Sequence, residues 1–381
     1  MIDSMRASFR DMVLVDGGDA FGGRSELEKR KAEVVLRSMG IMGYDAFCIG
    51  ETELEFGTEF LLDAARETKV PLVGANLVYH RTGKTVVQPY VIAKRSKVKV
   101  AIVGLIDNAL LLPETEGQSD SLVVLDPIET ARKLIPPLKK KVDIVVVLAH
   151  MGLAKSTKLA NEVPEIDVLV IGHNPGVLME TRKEANALLM ASGNKGQYVG
   201  RLILKLADKK AIKSFDGTLV PLDGRIKQSK LVEALIQEYN QQEKKLTEER
   251  MRQEREASLS RAGEDRYLGQ ETCRRCHEEV YDKVSKMDHA RAYDSLVKDN
   301  RGGLAECLVC HTTGYGEPTG FGGSSSVDLK NVQCESCHGM GSKHTRDGSY
   351  KQASEKKCLV CHNTEQSPDF SYKTYSKKIS H

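Results

Sequence analysis

The sequence predicts an α/β domain, then a charged helical linker, then a small second domain of short helices and loops. Three observations carry this. Short β-branched apolar runs alternate with helix-like stretches from residue 11 to about 222, residues 226–262 turn mostly polar, and eight of the nine cysteines fall between 273 and 361. A chain divided so sharply in its cysteine use reads as two modules joined together. Its 381 residues are enough for two separate cores. The expected domains are 1–225, 226–266 and 267–381.

In the first domain the runs read DMVLVDGGD, YDAFCIG, VPLVGANL, KVKVAIVGLID, VDIVVVLAHMG, IDVLVIGHNPG and VGRLILKL. Runs of this kind, each ending in glycine or a polar residue, suit buried strands. SELEKRKAEVVLRSMG and FGTEFLLDAARET lie between them and read as helices, so both faces of the sheet should be covered. Cys48 falls within one of the strands, where a buried, inert thiol is expected. In the linker, KLVEALIQEY has apolar residues at 231, 235 and 239, a helical spacing that lets its first part lie against a neighbour. QQEKKLTEERMRQERE has too few apolar seam positions for a coiled coil and reads as a solvated helix joining the modules.

Charge and hydropathy exclude two classes. With a net charge of +3 the chain lacks the basic excess that nucleic-acid binding requires. No apolar run reaches the roughly eighteen residues of a membrane-spanning helix.

After residue 267 glycine, serine and cysteine become frequent, as in GYGEPTGFGGSSSV, and apolar patterning fades. Such a segment needs something other than side chains to fill its interior. One motif recurs four times: Cys273-Arg-Arg-Cys276-His277, Cys307-Leu-Val-Cys310-His311, Cys334-Glu-Ser-Cys337-His338 and Cys358-Leu-Val-Cys361-His362. This is the spacing of c-type haem attachment. Two thiols add to the two vinyl groups of one haem, and the adjacent histidine reaches the iron from the same side. A zinc site has no need of a histidine directly after every cysteine pair, and a disulfide framework needs neither feature. Four haem c groups would supply the missing apolar mass and form a conduit for electrons.

Each iron has room for a sixth ligand. Beyond the attachment histidines the segment holds only His289, His344 and His381, three candidates for four irons. Three haems would then be bis-histidine, which tends towards low potential. The fourth would be five-coordinate, or ligated by a methionine (Met287 and Met340 are near in sequence), a first-domain histidine or a partner chain.

YLGQETCRRCHEEVYDKVSKMDHARAYDSL, CESCHGMGSKH and CHNTEQSPDFSYKTYSKKISH resemble the tetrahaem cytochromes c typified by the electron acceptor of hydroxylamine oxidoreductase. The resemblance covers essentially all of 267–381 and implies a small, mainly α domain. It makes His289, His344 and His381 distal ligands and leaves the haem on Cys307, Cys310 and His311 with an open face, either to bind a small molecule such as nitric oxide or to serve only as an electron relay. That family commonly has proline where Met340 stands.

Three strand ends of the first domain carry metal-type residues: Asp19 in VDGGDAFGG, His150 in VLAHMG and His173 in VIGHNPG. Carboxylate and imidazole ligands converging at strand ends are what a two-metal hydrolase needs. Together these motifs resemble the 5′-nucleotidase-type metallophosphoesterases over roughly residues 10–222, which implies a four-layer α/β/β/α sandwich with Asp19 as the bridging ligand. The chain also departs from that pattern. Where the family has Gly-Asn-His-Glu it reads Gly50-Glu51-Thr52-Glu53, so Glu51 replaces a ligand asparagine and Thr52 a histidine thought to aid catalysis. Gly172-His173-Asn174-Pro175 lacks the second histidine of its motif, and no opening Asp-x-His motif is present. Asp19, Glu51, His150 and His173 remain candidate ligands for a manganese, zinc or iron ion, and no catalytic residue is assigned.

Covalent haem attachment takes place outside the cytoplasm, which implies a periplasmic or extracellular protein. MIDSMRASFRDM is not a signal peptide and reads as the end of a helix that begins upstream, so the chain is expected to be an incomplete version of the natural product. The leading reading is an exported tetrahaem cytochrome whose phosphoesterase-like domain is a degenerate scaffold or docking module. Its partners would be redox proteins, other cytochromes or an oxidoreductase, and oligomers are compatible with it. The alternatives are a metal-dependent phosphohydrolase coupled to a cytochrome, and a haem enzyme acting at a five-coordinate iron.

Overall fold

The computed structural model describes residues 1–110, 112, 121–173, 176–207, 211–258, 265–324, 326–349, 352–364 and 366–379. The chain forms two compact units, Met1–Leu235 and Ile236–His381.

The first unit opens with helix α1 (Ile2–Ser8), followed by β1 (Val15–Asp16), α2 (Glu26–Met42), β2 (Ala46–Cys48), α3 (Gly57–Thr68), β3 (Leu72–Val73) and β4 (Leu77–Tyr79). Next come β5 (Tyr90–Arg95), β6 (Val98–Ile106), β7 (Leu122–Val124), α4 (Pro127–Lys139), β8 (Ile144–His150), α5 (Leu153–Glu162) and β9 (Val168–Ile171). Strands β10 (Arg182–Glu184), β11 (Ala187–Met190), β12 (Tyr198–Leu206) and β13 (Ile212–Pro221) complete it. Strands β1, β2 and β3 form a parallel sheet. A second sheet runs β10-β11-β9-β8-β6-β5, with its four central strands parallel and antiparallel strands at both edges.

Three apolar clusters show the layering. Leu36 and Met39 of α2 and Leu61 of α3 pack on Phe47 and Leu72 of the small sheet. Cys48 and Val73 of that sheet meet Ile102, Val146 and Leu148 of the large one. The opposite face of the large sheet, Val103 and Val147, is covered by Ile135 of α4 and Leu159 of α5. The order is α/β/β/α, the expected four-layer sandwich. Every residue of β8 is buried because both faces of this central strand are covered, so its sequence is continuously apolar up to His150.

The two sheets converge at their carboxyl ends. A Cβ on Gly172, after β9, would collide with the carbonyl oxygen of Gly17, after β1. Two glycines thus permit a backbone approach that brings residues of different sheets to one place.

The second unit begins within helix α6 (Lys230–Ser258) and continues through α7 (Gln270–Arg274), α8 (Glu278–Val284), α9 (Ala292–Lys298), α10 (Ala305–His311), α11 (Cys334–His338), α12 (His344–Asp347), α13 (Glu355–Cys358) and α14 (Tyr372–Ile379). Among its described residues the buried hydrophobic side chains are Leu296, Leu304, Leu308 and Leu329. The charged stretch of α6 differs from the solvated helix expected. Glu243 and Thr247 are buried, the stem of Lys244 lies against Gly303, and Met251 lies against Gly322. These positions recur every three or four residues, so one face of the helix, the buried Glu243 included, covers the unit, while Lys244 lays its stem on that surface and keeps its charged end exposed.

Candidate functional site

In the first unit the structure brings together all four candidate metal ligands. One ligand atom from each of Asp19, Glu51, His150 and His173 lies within 4.8 Å of the others. Asp19 follows β1, Glu51 follows β2, His150 ends β8 and His173 follows β9, two from each sheet. His150 is fully buried; its Nδ1 is 2.8 Å from the Gly17 carbonyl, which fixes that nitrogen as the donor. Its Nε2 faces Glu51 Oε2 at 2.9 Å and Asp19 Oδ2 at 3.3 Å. His173 Nδ1 lies 3.2 Å from Glu51 Oε1 and 3.5 Å from Asp19 Oδ2. Two imidazoles and two carboxylates suit a zinc, manganese or iron ion. Thr52 donates to Asp19 Oδ1 through its hydroxyl, 3.2 Å away, rather than offering a ring nitrogen. Asn174 and Pro175 lie outside the described residues.

Glu53 holds this arrangement together, and the sequence reading missed it. Its buried carboxylate accepts from the backbone N–H groups of Asp19 (2.9 Å), Ala20 (2.8 Å), Phe21 (3.3 Å) and Gly50 (2.8 Å). These bonds tie the loop after β1 to the loop after β2. They also stabilise Asp19 at φ 60°, a left-handed conformation unusual for a residue other than glycine. Burial pushes the Glu53 carboxyl up to about 7 against the opposing pull of those N–H groups.

Without a metal, His150 carries the compensating charge. Burial opposes its imidazolium, but hydrogen bonds to Asp19 and Glu51 outweigh that and push it up to about 10. Burial would likewise raise Asp19, yet the bond to His150 and those from Thr52 hold it below the usual range. His150 therefore titrates higher folded than unfolded. In the metal-free chain its pairing contributes stability that is complete below about pH 6.5 and lost as pH rises through about 10. A divalent ion must displace that proton, so affinity should rise with pH across the same window. Calorimetric Mn²⁺ titrations in two buffers of different ionisation enthalpy should show about one proton released per ion near pH 7.5. A buffer-independent enthalpy would contradict this.

In the second unit each Cys-x-x-Cys-His motif occupies or adjoins a short helical turn, and none of the nine cysteines is in a disulfide. His277 N–H donates to the Cys273 carbonyl at 3.0 Å and His362 N–H to that of Cys358 at 2.8 Å, so both thiols and the imidazole fall within one turn. The Cys273 thiol lies beside that of Cys334, and the Cys361 thiol beside that of Cys310. The first motif therefore lies beside the third, and the second beside the fourth. The neighbouring Cys273 thiol holds Cys334 below the usual thiol range. Burial and the neighbouring Cys310 raise Cys361 to about 12.

The histidines pair across the motifs. The rings of His277 and His344 are 5.9 Å apart, and those of His289 and His362 are 6.0 Å apart. Two metal–nitrogen bonds of about 2 Å, with the ring radii, place axial imidazoles about 6 Å apart between centres. The residues present therefore fit haem. His344 Nδ1 meets the Ser349 carbonyl at 2.9 Å, His362 Nδ1 the Ser367 hydroxyl at 3.0 Å, and His311 Nδ1 the Ala292 carbonyl at 2.6 Å. Each contact orients a ring and leaves Nε2 available to a ligand. Among the described residues no histidine ring is placed against His311. His338 ends α11, and His381 lies outside the described residues.

Fold and site thus define two classes of module: a sandwich with, among the described residues, one candidate ligand cluster at its sheet ends, and a small helical unit with four Cys-x-x-Cys-His motifs. The N-terminal region matches the 5′-nucleotidase type of metallophosphoesterase. It is 28% identical over 225 residues to a 2′,3′-cyclic-nucleotide 2′-phosphodiesterase/3′-nucleotidase of Haemophilus influenzae, covering 51% of this chain and 34% of that protein. It is 32% identical over 195 residues to a 5′-nucleotidase of Vibrio cholerae, covering 46% and 35%. The chain spans about a third of the length of these curated relatives. The crystal structure of a 5′-nucleotidase precursor from Thermus thermophilus shares the fold, with a TM-score of 0.56 at 22% identity over 63% of this chain and 51% of that one. Residues 272–339 match the family described as cytochrome c554 and c-prime. The protein thus joins a 5′-nucleotidase-like phosphoesterase domain to a cytochrome c554-like domain. No helix among the described residues is long and apolar enough to cross a membrane.

Proposed function

We propose that this protein is an exported multihaem c-type cytochrome, moving electrons through four covalently bound haems, with a phosphoesterase-like domain that binds at most one divalent ion. The observation that carries the reading is the centre-to-centre spacing of the His277/His344 and His289/His362 rings, 5.9 Å and 6.0 Å. Haem, when bound, supplies one-electron chemistry. The eight clustered cysteines would anchor the groups as thioethers. His277, His311, His338 and His362 would bind the irons from the attachment side, with His289, His344 and His381 opposite three of them. Attachment of this kind occurs outside the cytoplasm, so a periplasmic or extracellular location follows from the same reading. The partners proposed are other redox proteins. Haem propionates would make the surface more acidic than the formal charge indicates and steer basic partners towards it, at a rate that falls with salt.

The ligand quartet favours a second reading, a metal-dependent phosphohydrolase. Among the described residues there is one such cluster, and Thr52 stands beside it with a hydroxyl. One ion can polarise a phosphoryl oxygen, but a two-ion clamp on the attacking and leaving oxygens needs another ligand set. The quartet therefore supports metal binding more strongly than hydrolysis. A third reading, an enzyme acting at a five-coordinate iron, draws on the setting of His311 alone.

The deciding experiment is intact mass and redox titration of protein purified from its native source. Four haem masses and four reversible one-electron transitions are expected. A haem-free protein would overturn the cytochrome, and nucleotide hydrolysis by the manganese-loaded form would promote the second reading. A spectral shift of the ferrous protein with carbon monoxide would promote the third.

A further inference from the structure

The third motif contains a buried carboxylate that attachment does not use. Glu335, between Cys334 and Cys337, is 3% exposed. Its Oε1 accepts from Leu268 N–H (2.9 Å) and Gly341 N–H (2.7 Å), and its Oε2 from Leu268 N–H (3.1 Å) and Gly269 N–H (2.8 Å). Both oxygens accept and neither donates, as in an ionised carboxylate. Its side-chain partners among the described residues are these backbone groups; the nearby Lys343 pairs instead with Asp265, at 3.9 Å. Leu268 and Gly269 run directly into the first motif, and Gly341 follows the third. Glu335 thus sits between two motifs whose thiols, Cys273 and Cys334, are themselves in contact.

Clamping these segments together does not in itself require a charge. Two residues earlier, the buried neutral amide of Gln333 makes the same kind of clamp. It accepts from Gln270 N–H at 2.8 Å and donates to the Asp328 and Lys330 carbonyls at 2.8 Å each. An anion buried without a cation is unfavourable unless compensated, so a charge at 335 beside a neutral clamp at 333 needs a separate account. Oxidation of an iron adds one positive charge, and an anion fixed in a low-dielectric interior stabilises that form more than it would in water.

We propose that Glu335 lowers the reduction potentials of the two haems carried by the first and third motifs, acting as a fixed counter-charge for their oxidised irons. The proposal rests on the cytochrome reading. Its test is an equilibrium redox titration, followed by visible and paramagnetic resonance spectra, of the holoprotein and its E335Q and E335D variants. Glu335→Gln should move two of the four transitions to more positive potential and leave two in place, while Glu335→Asp, which keeps the charge, should stay near wild type. An E335Q protein with four haems and unmoved transitions, or with all four moved equally, would overturn it. Should E335Q fail to assemble, Leu268→Lys sets a cation beside the same carboxylate and should shift transitions in the same direction; no shift there overturns the proposal equally. A wild-type protein without haem sinks the cytochrome reading itself, whereas four haems indifferent to position 335 sink only this inference.

Discussion

Produced without haem attachment, the second unit is expected to be unfolded while the first remains folded. The four leucines buried among its described residues cannot offset the conformational entropy of ordering a unit that runs from Ile236 to His381. Its other buried groups, including Thr312, Thr313, Gln333 and Glu335, gain only modestly from exchanging water for protein partners. The first unit has three apolar clusters and needs no such filler. Limited proteolysis of haem-free protein should leave a resistant fragment ending near Leu235, and the holoprotein should be resistant well beyond it. Equal resistance of both units in haem-free protein would show that side chains alone form the second core.

His150→Ala should abolish divalent metal binding. The change removes one of four candidate ligands and the imidazole whose Nδ1 anchors the cluster to the Gly17 carbonyl. Loss of groups that merely orient a ligand typically lowers affinity about 10–100-fold, and loss of the ligand itself should exceed that. Metal analysis after dialysis should fall from about one ion per chain to near none. The increase in melting temperature given by Mn²⁺ should vanish with it. His173→Ala should behave alike and His80→Ala, outside the cluster, should not. Full retention of the ion by H150A would place the site elsewhere.

The elements that could be read from the chain were those with a local signature. β8 was visible as an unbroken apolar run because a strand covered on both faces needs apolar residues at every position. His150 was visible as a candidate ligand because it ends that run. Glu53 and Glu335 were not, since a glutamate that accepts several backbone N–H groups in the interior is spelled like one on the surface. Their context, Gly50-Glu51-Thr52-Glu53 and Cys334-Glu-Ser-Cys337, marks a functional segment without revealing which carboxylate faces inward. The charged part of α6 misled for the complementary reason. Long charged side chains cover apolar and glycine surface with their stems, so a mostly charged stretch can still bury a face, as Lys244 does at Gly303.

By itself the sequence determined the ligand types and every spacing that lies within one turn or one strand end, because covalent geometry and local backbone conformation fix those distances. It therefore picked out the four Cys-x-x-Cys-His motifs and three of the four candidate metal ligands without help, the fourth, Glu51, coming from a family resemblance. Only the tertiary structure decided which partners meet: His277 with His344, His289 with His362, and Asp19 with His173 across a glycine contact between two sheets. Those pairings join residues far apart in the chain, and they are set by how layers and helices pack rather than by any interval along it.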